Sequence, residues 1–136
     1  MKCSLTYSVH VKDFGWLPFV SEGEMAGTTG ESRRLEAVKL HLIDTPRDAK
    51  IKYCVHVKDN GWLPFVYDGE VSGTTGESRR AEAIKIELEN LPGYSVEYRV
   101  HMKDKAWSEW VRDGEQAGTT GESRRIEAIE VKLIKN

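Results

Sequence analysis

Two cysteines in 136 residues leave no basis for a disulfide framework. Cys3 and Cys54 fall at non-equivalent places in the pattern described below. Both are expected as free thiols, and no cysteine spacing supports a zinc site. Long apolar runs are missing too. No stretch approaches the roughly 18–20 residues of a membrane-spanning helix. The N-terminus, MKCSLTYSVH, alternates polar and apolar residues where a secretory leader needs a continuous apolar segment. The expectation is a chain without a signal peptide of its own, either made in the cytoplasm or part of a larger exported protein. Charge of one sign is absent as well. Twenty Lys and Arg stand against 22 Asp and Glu, a formal net charge of −2. Such a balance offers no footprint for nucleic acid and no drive towards membrane insertion. No G-x-S-x-G nucleophile elbow occurs.

What is present is repetition. The octapeptide GTTGESRR stands at 27–34, 73–80 and 118–125 without a change. Aligned on it, the chain falls into three units: Tyr7 to Leu42, Tyr53 to Leu88 and Tyr98 to Leu133, with periods of 46 and 45 residues. With their flanks they span about 3–44, 49–90 and 94–136. Their connectors, IDTPRDAKIK and ENLPGYSVE, carry Pro46 and Pro92 and read as turns or edge segments. Apolar residues make up 39% of the chain and charged residues 31%, which suits one soluble domain over 1–136.

Each unit reads as β structure. Leu5, Tyr7, Val9 and Val11 fall on one strand face, and Thr6, Ser8, His10 and Lys12 on the other. Ile51, Tyr53, Val55, Val57 and Val96, Tyr98, Val100, Met102 repeat the apolar face. KDFGW and KDNGW read as tight turns in which Gly15 and Gly61 can supply a positive φ. Ala106 at the third equivalent position implies that this φ is not obligatory. WLPFV, WLPFV and WSEWV predict a second strand, with Pro18 and Pro64 marking an edge or bulge. GEMAG is a candidate short strand. LEAVKLHL predicts a strand with Val38, Leu40 and Leu42 buried. A helix over ESRRLEAVKLHL is the competing reading, disfavoured by the alternating Val, Ile and Leu of IKIEL and IEVKL.

Three such units cannot each bury a face alone and need a closed arrangement, and propellers typically use at least four blades. The fold expected is all-β, a three-fold pseudo-symmetric closed repeat domain. A β-prism is favoured, with a β-trefoil as the alternative.

The pattern VHVKDFGWLPFVSEGEMAGTTGESRRLEAVKL resembles the clostridial hydrophobic repeat with a central tryptophan, the ChW repeat. The features are the VHV strand, the GW pair, the aromatic-Val pair, the AGTTG loop and the EAIKI-type strand. All three units carry it. The departures are Ala106 in GW, Ser72 in AGTTG, and Leu-Pro-Phe where a second tryptophan is common; only Trp110 keeps that tryptophan. The resemblance implies repeats of Gram-positive extracellular proteins that bind cell-surface material or other extracellular partners.

The octapeptide admits two readings. A three-fold fold needs the same corner three times, and two glycines with threonine hydroxyls build one. A corner alone does not require the paired arginines or the glutamate. A sugar offers an apolar C–H face and polar edges, so its site needs a flat aromatic with convergent polar groups. The candidate sets are Asp13, Trp16, Glu31 and Arg33; Asp59, Trp62, Glu77 and Arg79; and Asp104, Trp107, Glu122 and Arg124. One arginine of each pair is expected to meet the nearby Glu or the Asp of the KD turn, and the other to point outward. The tryptophans equally read as core aromatics. His10, His56 and His101 read as solvent-facing strand residues, with no ligand set for a metal and no cofactor expected.

Every candidate group occurs three times at equal status. That suits repeated binding and not a single asymmetric active site, so the chain is expected not to be an enzyme. The expected function is a multivalent, lectin-like, cell-wall-binding module on an extracellular or cell-surface protein. Its partner would be a bacterial cell-wall glycan or a teichoic-type polymer. The alternative is a protein–protein interaction module of an extracellular assembly.

Overall fold

The alternation becomes five strands per unit. The computed structural model describes residues 3–77 and 79–136. Met1, Lys2 and the serine at 78 of the second octapeptide lie outside them. In the first unit β1 is Ser4–Val11, β2 Gly15–Trp16, β3 Val20–Ser21, β4 Ala26–Gly27 and β5 Leu35–Ile43. The second has β6 Lys50–Val57, β7 Gly61–Trp62, β8 Val66–Tyr67, β9 Ser72–Gly73 and β10 Ala81–Glu89. The third has β11 Tyr94–Met102, β12 Ala106–Trp107, β13 Val111–Arg112, β14 Ala117–Gly118 and β15 Ile126–Lys135. Among the described residues there is no helix, so the strand reading of ESRRLEAVKLHL holds. The domain is all-β with three-fold pseudo-symmetry.

Each unit centres on a long antiparallel pair, β1 with β5, β6 with β10 and β11 with β15. Leu5, Tyr7, Val9 and Val11 are fully buried, as are their counterparts in β6 and most of those in β11. All face one continuous apolar cluster that takes in side chains from every unit. The segment expected as a second strand is divided. β2 and β3 both pair with the outer edge of β1; the Leu17 N–H still donates to the Val9 carbonyl at 3.0 Å, and the chain leaves the ladder at Pro18 and Phe19. Proline explains the break in the first two units, since it has no N–H to donate. The third unit breaks at the same place without one.

The sequence-based reading of β5 needs a correction. Leu35, Glu36, Ala37 and Val38 are buried in succession, against the expected alternation. The cause is a β-bulge: Val11 pairs with Leu35 while His10 pairs with Ala37. Glu36 is the extra residue, and the phase of the strand shifts across it. The same bulge recurs at Glu82 and Glu127. A second correction concerns Ala106. Its φ is +62°, beside +73° for Gly15 and +75° for Gly61. The positive φ is kept in all three turns, and the alanine adopts it at a steric cost.

The candidate strand at GEMAG exists, but it joins another unit's sheet. β4 of the first unit pairs with β15 of the third, at Ala26–Ile129 and Gly27–Ala128. β9 of the second pairs with β5 of the first, and β14 of the third with β10 of the second. Each unit lends one strand to the unit before it, and the exchange closes on itself. The first glycine of the octapeptide makes this approach possible. A Cβ on Gly27 would collide with the Glu127 carbonyl oxygen and sit 2.8 Å from the Ala128 Cα. Gly73 and Gly118 meet the backbone of Glu36–Ala37 and Glu82–Ala83 in the same way.

Three buried tyrosines lock the exchange. The Tyr7 hydroxyl accepts a hydrogen bond from the Val131 N–H at 3.0 Å and donates to the Glu24 carbonyl. Tyr53 accepts from Leu40 and donates to Glu70. Tyr98 accepts from Ile86 and donates to Glu115. Each hydroxyl therefore joins the neighbouring unit's long strand to the turn that launches its own crossing strand. A glycine in that turn adds a second tie: Gly23 donates to the Val131 carbonyl, Gly69 to Leu40 and Gly114 to Ile86, each at 2.8 Å.

Gly27→Ala should cost at least about 3 kcal/mol, because fixed backbone must give way at a strained φ. Gly30 has a φ of +74° and open space around a built Cβ. Gly30→Ala should therefore cost only about 1–2 kcal/mol. Urea denaturation of the two variants checks the difference.

Burial pushes the Tyr53 hydroxyl up to about 12 and raises Tyr7 and Tyr98 further. Unfolded tyrosine releases its proton near pH ~10. Above that pH the unfolded chain binds fewer protons than the native one, so stability falls as pH rises. The contribution is complete below pH ~10 and is lost above it, at about 1.4 kcal/mol per pH unit for each tyrosine. In an alkaline titration, most tyrosinate absorbance should appear together with loss of the β-sheet circular dichroism. Ionisation of all tyrosines ahead of unfolding would contradict the buried arrangement.

Candidate functional site

The octapeptide begins where the crossing strand ends and leads back to the long strand. Its first arginine pins the turn between β1 and β2. Arg33 Nη1 donates to the Lys12 carbonyl at 3.5 Å and pairs with Asp13 at 3.2 Å, while Nε meets Glu31 at 3.4 Å. Arg79 repeats the set with Lys58, Asp59 and Glu77. Arg124 keeps the Lys103 carbonyl and Glu122; no Arg124–Asp104 ion pair occurs among the described residues, and Lys105 pairs with Glu122. Three of the four residues proposed for each site are thus brought together in the first two units.

The tryptophan stands apart from that trio. Trp16 lies edge-to-face with His10, ring centroids 5.4 Å apart, and the Lys39 ammonium sits 4.3 Å from its ring centre. Trp62 has the same relation to His56 and Lys85, and Trp107 to His101 and Arg99. All three tryptophans are half-buried. A cation already occupies a ring face that sugar stacking would use.

The second arginine does not point outward. Arg34 Nε pairs at 2.9 Å with the bulged Glu36, whose other oxygen lies 3.1 Å from His10 Nδ1. Arg80–Glu82–His56 and Arg125–Glu127–His101 repeat these approaches at 3.0–3.3 Å. The histidine contact is aligned as a hydrogen bond only at His10; His56 Nδ1 and His101 Nδ1 are buried without a hydrogen-bond partner among the described residues. Each glutamate is only 5% exposed. A buried carboxylate paired with a guanidinium and set beside an imidazole fixes where both groups sit. Sequence reasoning passed over Glu36, Glu82 and Glu127. The available signal was a glutamate inside an apolar strand start, LEA, AEA and IEA, in every unit.

Beside each triad lies an open cavity. The first, about 370 Å³, is lined by His10, Lys12, Asp13, Gly15, Arg34 and Glu36, and on its far side by Gly76 of the second unit. The second, about 260 Å³, pairs His56, Lys58, Asp59, Arg80 and Glu82 with Gly121 and Ser123 of the third unit. The third, about 240 Å³, pairs His101, Lys103, Asp104, Arg125 and Glu127 with Gly30 and Ser32 of the first. Strand exchange is the cause: each octapeptide crosses onto the preceding unit's sheet and walls its cavity. Every copy therefore serves two cavities, its second arginine in one and its second glycine in the next.

The family model for clostridial hydrophobic W matches residues 10–44, 56–90 and 101–135. The chain belongs to the ChW family. Each match opens on the histidine of the triad and contains the KD turn, the tryptophan, the crossing strand and the bulged glutamate. The three ChW repeats meet at three equivalent seams. No curated protein and no solved structure matches the chain. Among the described residues no group of His, Cys, Asp and Glu could hold a metal ion.

Proposed function

We propose that the domain is a non-catalytic, multivalent, lectin-like binding module, with one site per ChW repeat, for a repetitive bacterial surface polymer. The carrying observation is the set of three equivalent seam cavities, each walled by two copies of one octapeptide. A single active site would need one asymmetric set of groups, whereas the same His, Lys, Asp, Arg and Glu recur around each seam. Three weak sites on one rigid body raise avidity by about 10²–10⁴ when one polymer can reach them together. Cell-wall glycans and teichoic-type polymers present that repetition. Such a module would work outside the cell, on an extracellular or cell-surface protein.

The exposed cluster of Asp13, Glu31 and Arg33, with its counterparts at Asp59, Glu77, Arg79 and at Asp104, Glu122, Arg124, forms the polar rim of the sites in this reading. Trp16, Trp62 and Trp107 support the histidine behind each cavity. A protein partner is the second reading. Phe14 and Phe19, each 49% exposed, favour it on the first unit.

The test is co-sedimentation of the intact domain with purified Gram-positive cell walls. Arg33→Ala alone should weaken binding several-fold. Arg33→Ala with Arg79→Ala and Arg124→Ala should abolish it, with the β-sheet circular dichroism unchanged. Absence of binding to any wall fraction would rule out the polymer and leave the protein partner.

A further inference from the structure

We infer that the seam cavities are oxyanion sites, and that a proton on the histidine of each strengthens them. The inference rests on the polymer-binding reading and names the chemistry the cavities select. Arg34, Arg80 and Arg125 each have a single side-chain partner among the described residues, the bulged glutamate. A guanidinium carries five N–H donors. One carboxylate shared with a histidine does not use them all. Lys12, Lys58 and Lys103 line the cavities and have no ion pair among the described residues. An oxyanion in the cavity meets a fork of donors on one side and a free ammonium on the other.

The charge count makes the histidine decisive. Among the first cavity's lining groups, Lys12 and Arg34 balance Asp13 and Glu36 while His10 is neutral. Asp13 is further answered by Arg33 at 3.2 Å. The groups around His10 are Glu36 at 3.1 Å, Trp16 edge-on, Lys39 over that tryptophan, and Arg34, Lys12 and Asp13 across the cavity; the next unit presents Gly76. A proton on His10 is held by Glu36 and leaves the cavity one charge more positive. Histidine is the side chain that gains its charge between about pH 8 and 5. The third cavity lacks the Arg124–Asp104 pair, so its aspartate is less well answered. It should bind the anion least.

Calorimetric titration of the intact domain tests this with three probes: a glycerol phosphodiester oligomer, a galacturonic acid oligomer and a neutral glucan oligomer. The first two keep a fixed charge over the range used and separate phosphate from carboxylate. Expected is binding of one or both anions, about three- to tenfold tighter at pH ~5.5 than at pH ~7.5, and none of the neutral probe. Lys12→Gln with Lys58→Gln and Lys103→Gln changes only exposed side chains and should remove anion binding with the fold intact. His10→Gln with His56→Gln and His101→Gln should bind weakly and equally at both pH values. Equal binding of all three probes, or full anion binding by the lysine variant, would overturn the inference. So would wall binding that persists without any anion binding, which would leave the module itself standing. Failure to bind walls at all would instead count against the module.

Discussion

Each central tyrosine hydroxyl belongs to one unit and takes its hydrogen bond from the backbone of another. Tyr7, Tyr53 and Tyr98 accept from Val131, Leu40 and Ile86 and hand their own protons to the turn that starts a crossing strand. A polar group at the centre of an apolar cluster is costly unless satisfied, and here it is satisfied only when two units are docked. The crossing strand, the glycine that lets it approach and the seam behind it all follow from that docking. One unit folded alone would leave its tyrosine hydroxyl without its donor and the edge of its long strand bare.

The seams carry the chemistry because the crossing strand carries the octapeptide. GTTGESRR reads locally as a corner, and part of it is one. Gly27 passes the neighbouring backbone, the Thr28 amide donates to the neighbour's Glu127 carbonyl, and Gly30 turns the chain. Arg33 ties the corner to the KD turn, and Arg34 reaches back to the bulged glutamate. Gly30 and Ser32, ahead of the arginines, line the preceding unit's cavity. One sequence copied three times thus meets two different environments, and both constrain it.

Much of the fold was legible in the residues. Alternation at Leu5, Tyr7, Val9 and Val11 marked the buried face of β1, and the three-fold copy number marked the closure. Two things were hidden for physical reasons. A bulge adds a residue without changing composition, so nothing in the pattern marked Glu36 as a displaced, buried carboxylate. Strand exchange between identical units leaves no local trace either, because a crossing strand and a strand paired at home have the same sequence. For the same reason only part of the spatial grouping was legible. Asp13, Glu31 and Arg33 are near in space through local turns, whereas the triad of Arg34, Glu36 and His10 and the opposing wall depend on the bulge and on the neighbour. Each tryptophan also carries a cation from a long strand, Lys39 on β5, Lys85 on β10 and Arg99 on β11, whose register the turn pattern does not reveal.

The central claim is that three ChW repeats form one cooperative body, closed by strand exchange through the tyrosines. Native-state amide hydrogen exchange of Leu40, Ile86 and Val131 tests it most directly. Each amide lies in a different unit and donates to a tyrosine of the next. The account predicts that all three exchange only through global unfolding, with one common free energy that matches the denaturant value. An amide that exchanges by a separate opening of lower free energy would show the units to be independent and contradict the closed ring.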